Sequence, residues 1–189
     1  MRLTLVANVF LGLCLSAAAS PTNFTRAPIV VDNPSKLFEA RLLEKNTTTI
    51  RGALNIWARS IGVKVHADFW GLPKEQALPY HIHARRVPEN GSCEATGPHL
   101  DPYNRSQDPP CDATRPETCE VGDLSGKHSP MFTAVYESFE AEYPDHFLST
   151  DPNSPAYFGD LSIVVHGPNS ERLNCGNFVL KQTGTEPSY

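Results

Sequence analysis

Four histidines constrain this chain more than any other feature: His81 and His83 in Tyr80-His81-Ile82-His83, His99 in Gly97-Pro98-His99, and His166 in Val164-Val165-His166-Gly167. Residues two apart on a β-strand point to the same face. A strand through residues 80–84 therefore sets two imidazoles side by side. His166 ends a second strand-like run, residues 161–166, and brings a third ring from elsewhere in a sheet. The fold that satisfies this pattern is a β scaffold gathering distant rings into a nitrogen-only metal site.

The rest of the body also reads as all-β. Residues 48–59 and 62–70 alternate in part and are rich in β-branched and aromatic side chains, with a turn at Ser60-Ile61-Gly62 between them. Further short strands are expected at 38–43, 80–84, 161–166 and 177–182. Residues 89–116 are dense in Pro, Gly, Asn, Asp and Ser, which marks one long irregular loop carrying His99. One segment resists: Phe132, Val135, Tyr136, Phe139 and Tyr143 fall at helical spacing.

The N-terminus reads as a secretory signal over residues 1–19. Arg2 leads an apolar run that ends in Ser16-Ala17-Ala18-Ala19, too short for a membrane anchor. No second long apolar segment follows, and residues 184–189 lack a lipid-anchor tail, so a secreted, extracellular product is expected. Without Arg2 the balance is 15 basic against 21 acidic side chains, a formal charge of −6. With no Lys/Arg block, the chain is a poor candidate for binding nucleic acid or anionic membrane, and no nucleic-acid partner is expected. Cys14 leaves with the signal, and Cys93, Cys111, Cys119 and Cys175 remain, with three possible pairings. In one of them Cys111 pairs locally with Cys119 and Cys93 closes a long loop with Cys175. Chain entropy assigns about 2–3 kcal/mol to the short closure and about 4–5 to the long one. Sequons begin at Asn23, Asn46, Asn90 and Asn104, each a candidate for glycosylation.

Among common divalent metals copper binds nitrogen sites most tightly, and Cu(II) accepts a flattened four-nitrogen arrangement. The expected cofactor is therefore one redox-active copper. His99, on a loop, is the ligand free to leave, and a carboxylate such as Glu120 could orient its ring. His66, His128 and His146 read as structural.

The order Tyr80-His81-Ile82-His83, Cys93, Gly97-Pro98-His99, Val121-Gly122-Asp123-Leu124, Val165-His166-Gly167 and Arg172-Leu173-Asn174-Cys175-Gly176 resembles the copper–zinc superoxide dismutase family over roughly residues 38–180. The resemblance implies an eight-stranded Greek-key β-barrel, an immunoglobulin-like sandwich with long metal-bearing loops, and a strand over 132–141. It implies His81, His83, His99 and His166 as copper ligands, a Cys93–Cys175 disulfide, and Arg172 as the cation that attracts superoxide. The departures matter equally. Asp123 matches a zinc-binding aspartate, but Glu120 stands three positions before it where the family has histidine, and Gln107 falls near the other zinc ligand. Only residues 167–171 separate His166 from Arg172, where the family carries a long charged loop. These departures resemble the copper-only branch found outside fungal cells. They imply no zinc, Glu120 bonded to the far nitrogen of His99, and Asp123 as a structural anchor. The expected organisation is an extension over 20–36, the barrel over 37–183 and a tail over 184–189. The expected activity is conversion of two superoxide anions to O2 and H2O2 by a monomer cycling copper between Cu(II) and Cu(I). A secreted copper-binding or copper-delivery protein without turnover is the second reading, against which Arg172 argues.

Overall fold

The computed structural model describes residues 25–134 and 137–184. The signal segment, Asn23, Val135, Tyr136 and residues 185–189 lie outside the described residues. The strands are β1 (Lys36–Arg41), β2 (Arg51–Ala58), β3 (Val63–Trp70), β4 (Tyr80–His83), β5 (Ser138–Asp145), β6 (Ser162–His166) and β7 (Arg172–Thr183), with one short helix, α1 (Leu124–His128). β3 shows why the chain folds this way. Val63, Val65, Ala67 and Phe69 are wholly buried, while Lys64, His66, Asp68 and Trp70 between them face outward.

The strands form one antiparallel sheet in the order β4-β6-β7-β1-β2-β3-β5. The chain runs β1-β2-β3 as a meander, crosses to β4, returns to β5 beside β3, and crosses again to β6. That is Greek-key connectivity. The sheet curls around a core that includes Phe69, Tyr80, Leu124, Phe158 and Phe178. Seven of the eight expected strands form ladders among the described residues. Beside the free edge of β4 stand only single bridges, Leu78 with Met131 and His83 with His99. Segment 25–35, expected as an extension, is tied to the barrel by backbone bonds from Ala27 to Glu117 and from Val30 to His146. Lys36 already belongs to β1.

The strand expected over 132–141 begins only at Ser138 and runs on to Asp145. Phe132 is 55% exposed and lies outside the core. Only Phe139 and Tyr143 of the helically spaced set are seen against the core, and they lie four apart on one face of β5. A loop residue next to a strand thus imitated a helix.

Register places the site. β4 lies beside β6 with His81 opposite Val164 and His83 opposite Ser162. β6 lies beside β7 with His166 opposite Arg172, after a bulge between Val165 and His166 that turns the last ring. Gly122 lets the following loop press on β4. A Cβ there would collide with the Ile82 carbonyl, which receives the Leu100 N–H while the Ile82 N–H donates to the Gly122 carbonyl. From that loop α1 starts at Asp123, whose side chain accepts the Gly126 N–H at 2.7 Å. Its far end is fixed by Lys127, which donates to Asp145 Oδ2 at 2.5 Å and to the Val121 carbonyl at 2.8 Å.

Candidate metal centre

His81, His83, His99 and His166 converge, each offering a ring nitrogen within 4.8 Å of the others. Three rings have one nitrogen committed. His83 Nδ1 donates to the Gly97 carbonyl at 2.8 Å, His166 Nδ1 to the Ser170 carbonyl at 3.2 Å, and His99 Nδ1 bonds Glu120 Oε2 at 2.5 Å. These bonds fix the tautomers and leave Nε2 of each ring as an electron-pair donor. His81 is the reverse. Its Nε2 lies 3.5 Å from Asp123 Oδ1, and its Nδ1 is buried with no hydrogen-bond partner among the described residues. A buried imidazole nitrogen without a partner is costly unless something else takes its lone pair.

A metal ion fits that need. His83 Nε2 and His166 Nε2 are 3.1 Å apart, close to the roughly 2.8 Å of adjacent donors each about 2.0 Å from one ion. Ring centroids add the shape. His81–His83 and His99–His166 are 6.5 and 6.0 Å apart, whereas the other four pairs lie between 4.1 and 5.2 Å. Two long pairs and four short ones describe a four-cornered arrangement with His81 across from His83. All four donors are imidazole nitrogens, and a flattened set of this kind suits Cu(II).

Burial keeps the rings ready to bind. Desolvation, followed by neighbouring imidazoles, pushes His81 down to about 2. Desolvation also carries His83 down to about 3 despite the Gly97 bond, with His99, Arg172 and His166 adding to the fall. His166 is lowered chiefly by burial. The unfolded chain takes up protons on these rings near pH 6.5, and the folded chain does so only far lower. The unfolded state therefore binds more protons below that pH, and stability falls as pH drops. Copper-free protein is expected to melt at progressively lower temperature between pH 7 and pH 5. A flat melting temperature over that interval would contradict this.

His99 differs from its expected setting. The residues flanking it pair with the β4 segment, through Ala84 N–H to the Pro98 carbonyl and Leu100 N–H to the Ile82 carbonyl, both 2.8 Å. Its backbone is pinned, and freedom is left only to its side chain. Glu120 and the His99 ring are both buried, with side chains 8% and 9% exposed. The position that would face a second metal, His99 Nδ1, is thus occupied by a carboxylate, with Gln107 Nε2 3.3 Å away. Asp123 caps α1 and faces His81. Beside His81 and His99 opens a cavity of about 330 Å³ whose lining includes Arg105, Gln107, Glu120 and Asp123.

Arg172 donates to the carbonyls of Cys93 (2.9 Å), Glu94 (3.2 Å) and Gly97 (2.7 Å) and to Thr96 Oγ1 (2.9 Å). Gly97 was missed in the sequence, yet its carbonyl holds both His83 and Arg172. Its φ of +75° was signalled only by the Gly-Pro pair before His99. Cys93 is joined to Cys175 and Cys111 to Cys119, with S–S distances of 2.07 and 2.11 Å. Asn46, Asn90 and Asn104 are exposed. His66 bonds Glu140 and His128 bonds Asp145, both away from the cluster.

No family model matches the chain. It is 38% identical to the cell surface Cu-only superoxide dismutase of Arthroderma benhamiae, over 97% of this chain but only 57% of that protein's length. It is 37% identical to cell surface superoxide dismutase (Cu-Zn) 4 of Candida albicans, over 97% of this chain and 73% of that one. It is also 37% identical to cell surface Cu-only superoxide dismutase 5 of the same yeast, over 84% of this chain and 68% of that one. The solved Cu(II) structure of Candida albicans superoxide dismutase 5 superposes with a TM-score of 0.71 at 36% identity, covering 80% of this chain and 96% of that one.

Proposed function

The chain belongs to the fungal cell surface, copper-only superoxide dismutase family, and from its donor set we propose that it is an extracellular superoxide dismutase holding one copper and no zinc. His81 through Nδ1, and His83, His99 and His166 through Nε2, would hold the metal. All four donors come from one chain, so the reading needs no second copy and we take the enzyme as a monomer. When bound, copper supplies the one-electron chemistry by which two superoxide anions and two protons become O2 and H2O2.

The chain itself supplies charge, access and protons. A protein of net negative charge repels an anionic substrate, so a local positive focus is required. Arg172 meets that requirement, and this observation carries the reading. Its guanidinium donates chiefly to neutral oxygens, which fix it without cancelling its charge, and the carboxylate paired with it, Glu94 at 3.7 Å, is solvent-exposed and so screened. Its field reaches the rings, since it helps lower both His83 and His166. A copper store needs no anion guide. When it does not hold the metal, His99 Nε2 would be the atom to carry a proton for the product, because Glu120 keeps Nδ1 occupied and the ring oriented. Asp123 anchors the loop through its α1 cap. Glycans on Asn23, Asn46, Asn90 or Asn104 complete the reading of a secreted protein.

Arg172→Ala is expected to lower kcat/KM roughly 10-fold or more and to flatten its dependence on ionic strength. Copper content should stay at the native value, and Arg172→Lys should recover part of the rate. Superoxide decay followed across a salt series decides this. An Arg172→Ala protein with native rate and native salt dependence would instead favour a copper-binding protein without guided turnover.

A further inference from the structure

One cation near the disulfide has no part in the mechanism above. The Lys45 ammonium lies 2.9 Å from Cys93 Sγ, and among the described residues no carboxylate pairs with it. Around the bond sit Leu43, Val87 and Val164, an apolar pocket in which Cys93 is 4% exposed and Cys175 is fully buried. Desolvation lowers Lys45 from its ordinary value.

We propose that Lys45 makes Cys93 the reactive thiol through which hydrogen peroxide closes the Cys93–Cys175 disulfide. In the open chain the ammonium stabilises the Cys93 thiolate, the nucleophilic form. The thiolate sulfur attacks one peroxide oxygen, the O–O bond breaks, and the departing hydroxide takes up the proton that Cys93 had released to solvent, giving Cys93 sulfenic acid and one water. The Cys175 sulfur then attacks Cys93 sulfur, the S–O bond breaks, and the departing hydroxide takes the Cys175 proton as water. Two thiols have lost two electrons and one H2O2 has become two waters, so the step balances. Peroxide is the product of the proposed dismutation. On that reading the enzyme matures its own active-site loop, because residues 93–97 carry the carbonyls that hold Arg172 and His83.

The geometry supports the order of events. Lys45 does not depend on the disulfide for its place, since Leu43 N–H bonds the Cys175 carbonyl at 3.0 Å, Asn174 holds the Leu43 carbonyl at 2.9 Å, and Arg51 holds the Lys45 carbonyl at 2.7 Å. Cys93 is fixed independently as well, its carbonyl accepting from Arg172 at 2.9 Å and from Thr96 Oγ1 at 2.7 Å. The charges facing Cys93 are Lys45 from the 42–50 loop, Arg172 from β7, and Glu94 on its own segment, exposed and turned to Arg172. Cys175 is fully buried, and among the described residues no cation donates to its sulfur, which makes it the resolving thiol.

The test uses the full secreted chain, freed of copper by a chelator, with peroxide added, so that its failure is separate from any failure of dismutation. In Cys175→Ser the Cys93 thiolate, read at 240 nm, is expected to form below about pH 7.5, against about 8.5 for an ordinary thiol. Lys45→Met on that background should raise the midpoint by at least about one unit and slow peroxide oxidation at pH 7 roughly 10-fold, with Lys45→Arg keeping most of the rate. A second measurement needs no cysteine variant. In the briefly reduced native chain, trapping of sulfenic acid followed by mass spectrometry should label Cys93 first, and less so in Lys45→Met. Equal rates with and without Lys45, or first labelling at Cys175, would overturn the assignment.

Discussion

His83→Ala is expected to leave the protein folded, short of copper, and slower in superoxide dismutation by at least about 10³-fold, a small part of the acceleration enzymes typically supply. The ring is 1% exposed, sits on β4 two residues from His81, and presents Nε2 3.1 Å from His166 Nε2. Its loss removes one of three donors held by strands. The Gly97 carbonyl also loses one of its two donors while keeping Arg172. Copper analysis of the variant, together with superoxide decay at saturating added copper, checks both halves. Full copper retention with native activity would mean that these rings are not the metal site.

The second large effect lies away from the cluster. Lys127→Met is expected to cost about 3–5 kcal/mol, as breaking a buried pair by removing one partner does. For a chain of this size that corresponds to a melting temperature lower by roughly 6–20 °C. Both side chains of the Lys127–Asp145 pair are 0% exposed. Burial opposes ionisation of Asp145, but Lys127 and His128, with further hydrogen bonds, hold its carboxyl well below the usual carboxylate range. The Phe147 and Leu148 N–H groups also donate to it, at 2.9 and 3.2 Å. Without the lysine a buried carboxylate stays behind with less compensation. A double change, Lys127→Met with Asp145→Leu, should recover much of the loss, because no charge is left buried. Calorimetry on the three proteins checks this. If the single and double variants melt together, the pair does not carry the loop. Since α1 links its cap Asp123, beside His81, to Lys127 in its last turn, the single variant should also loosen copper binding.

The sequence made the site more legible than the frame around it. His-x-His on a strand states its own geometry, because period-two alternation needs no tertiary knowledge, and His166 closing a Val-rich run does the same. The order of landmarks around Gly97-Pro98-His99 and Arg172 carried the barrel. What stayed hidden depends on contacts between distant segments. Nothing local marks Lys127 and Asp145 as partners, and only the meeting of β5 and α1 buries the pair. The five residues of α1 are too few to show a helical period. β5 was displaced because Phe132 lies outside the core, and nothing local says so. His99 looked like a loop residue because its bonds to β4 are made by neighbours on either side, Ala84 with Pro98 and Ile82 with Leu100.

The central claim, four imidazoles around one copper with a carboxylate where a second metal would sit, is tested most directly by metal analysis. Secreted protein offered excess copper and zinc, then dialysed, is expected to retain one copper per chain and no equivalent of zinc. A full equivalent of tightly held zinc beside the copper would contradict it.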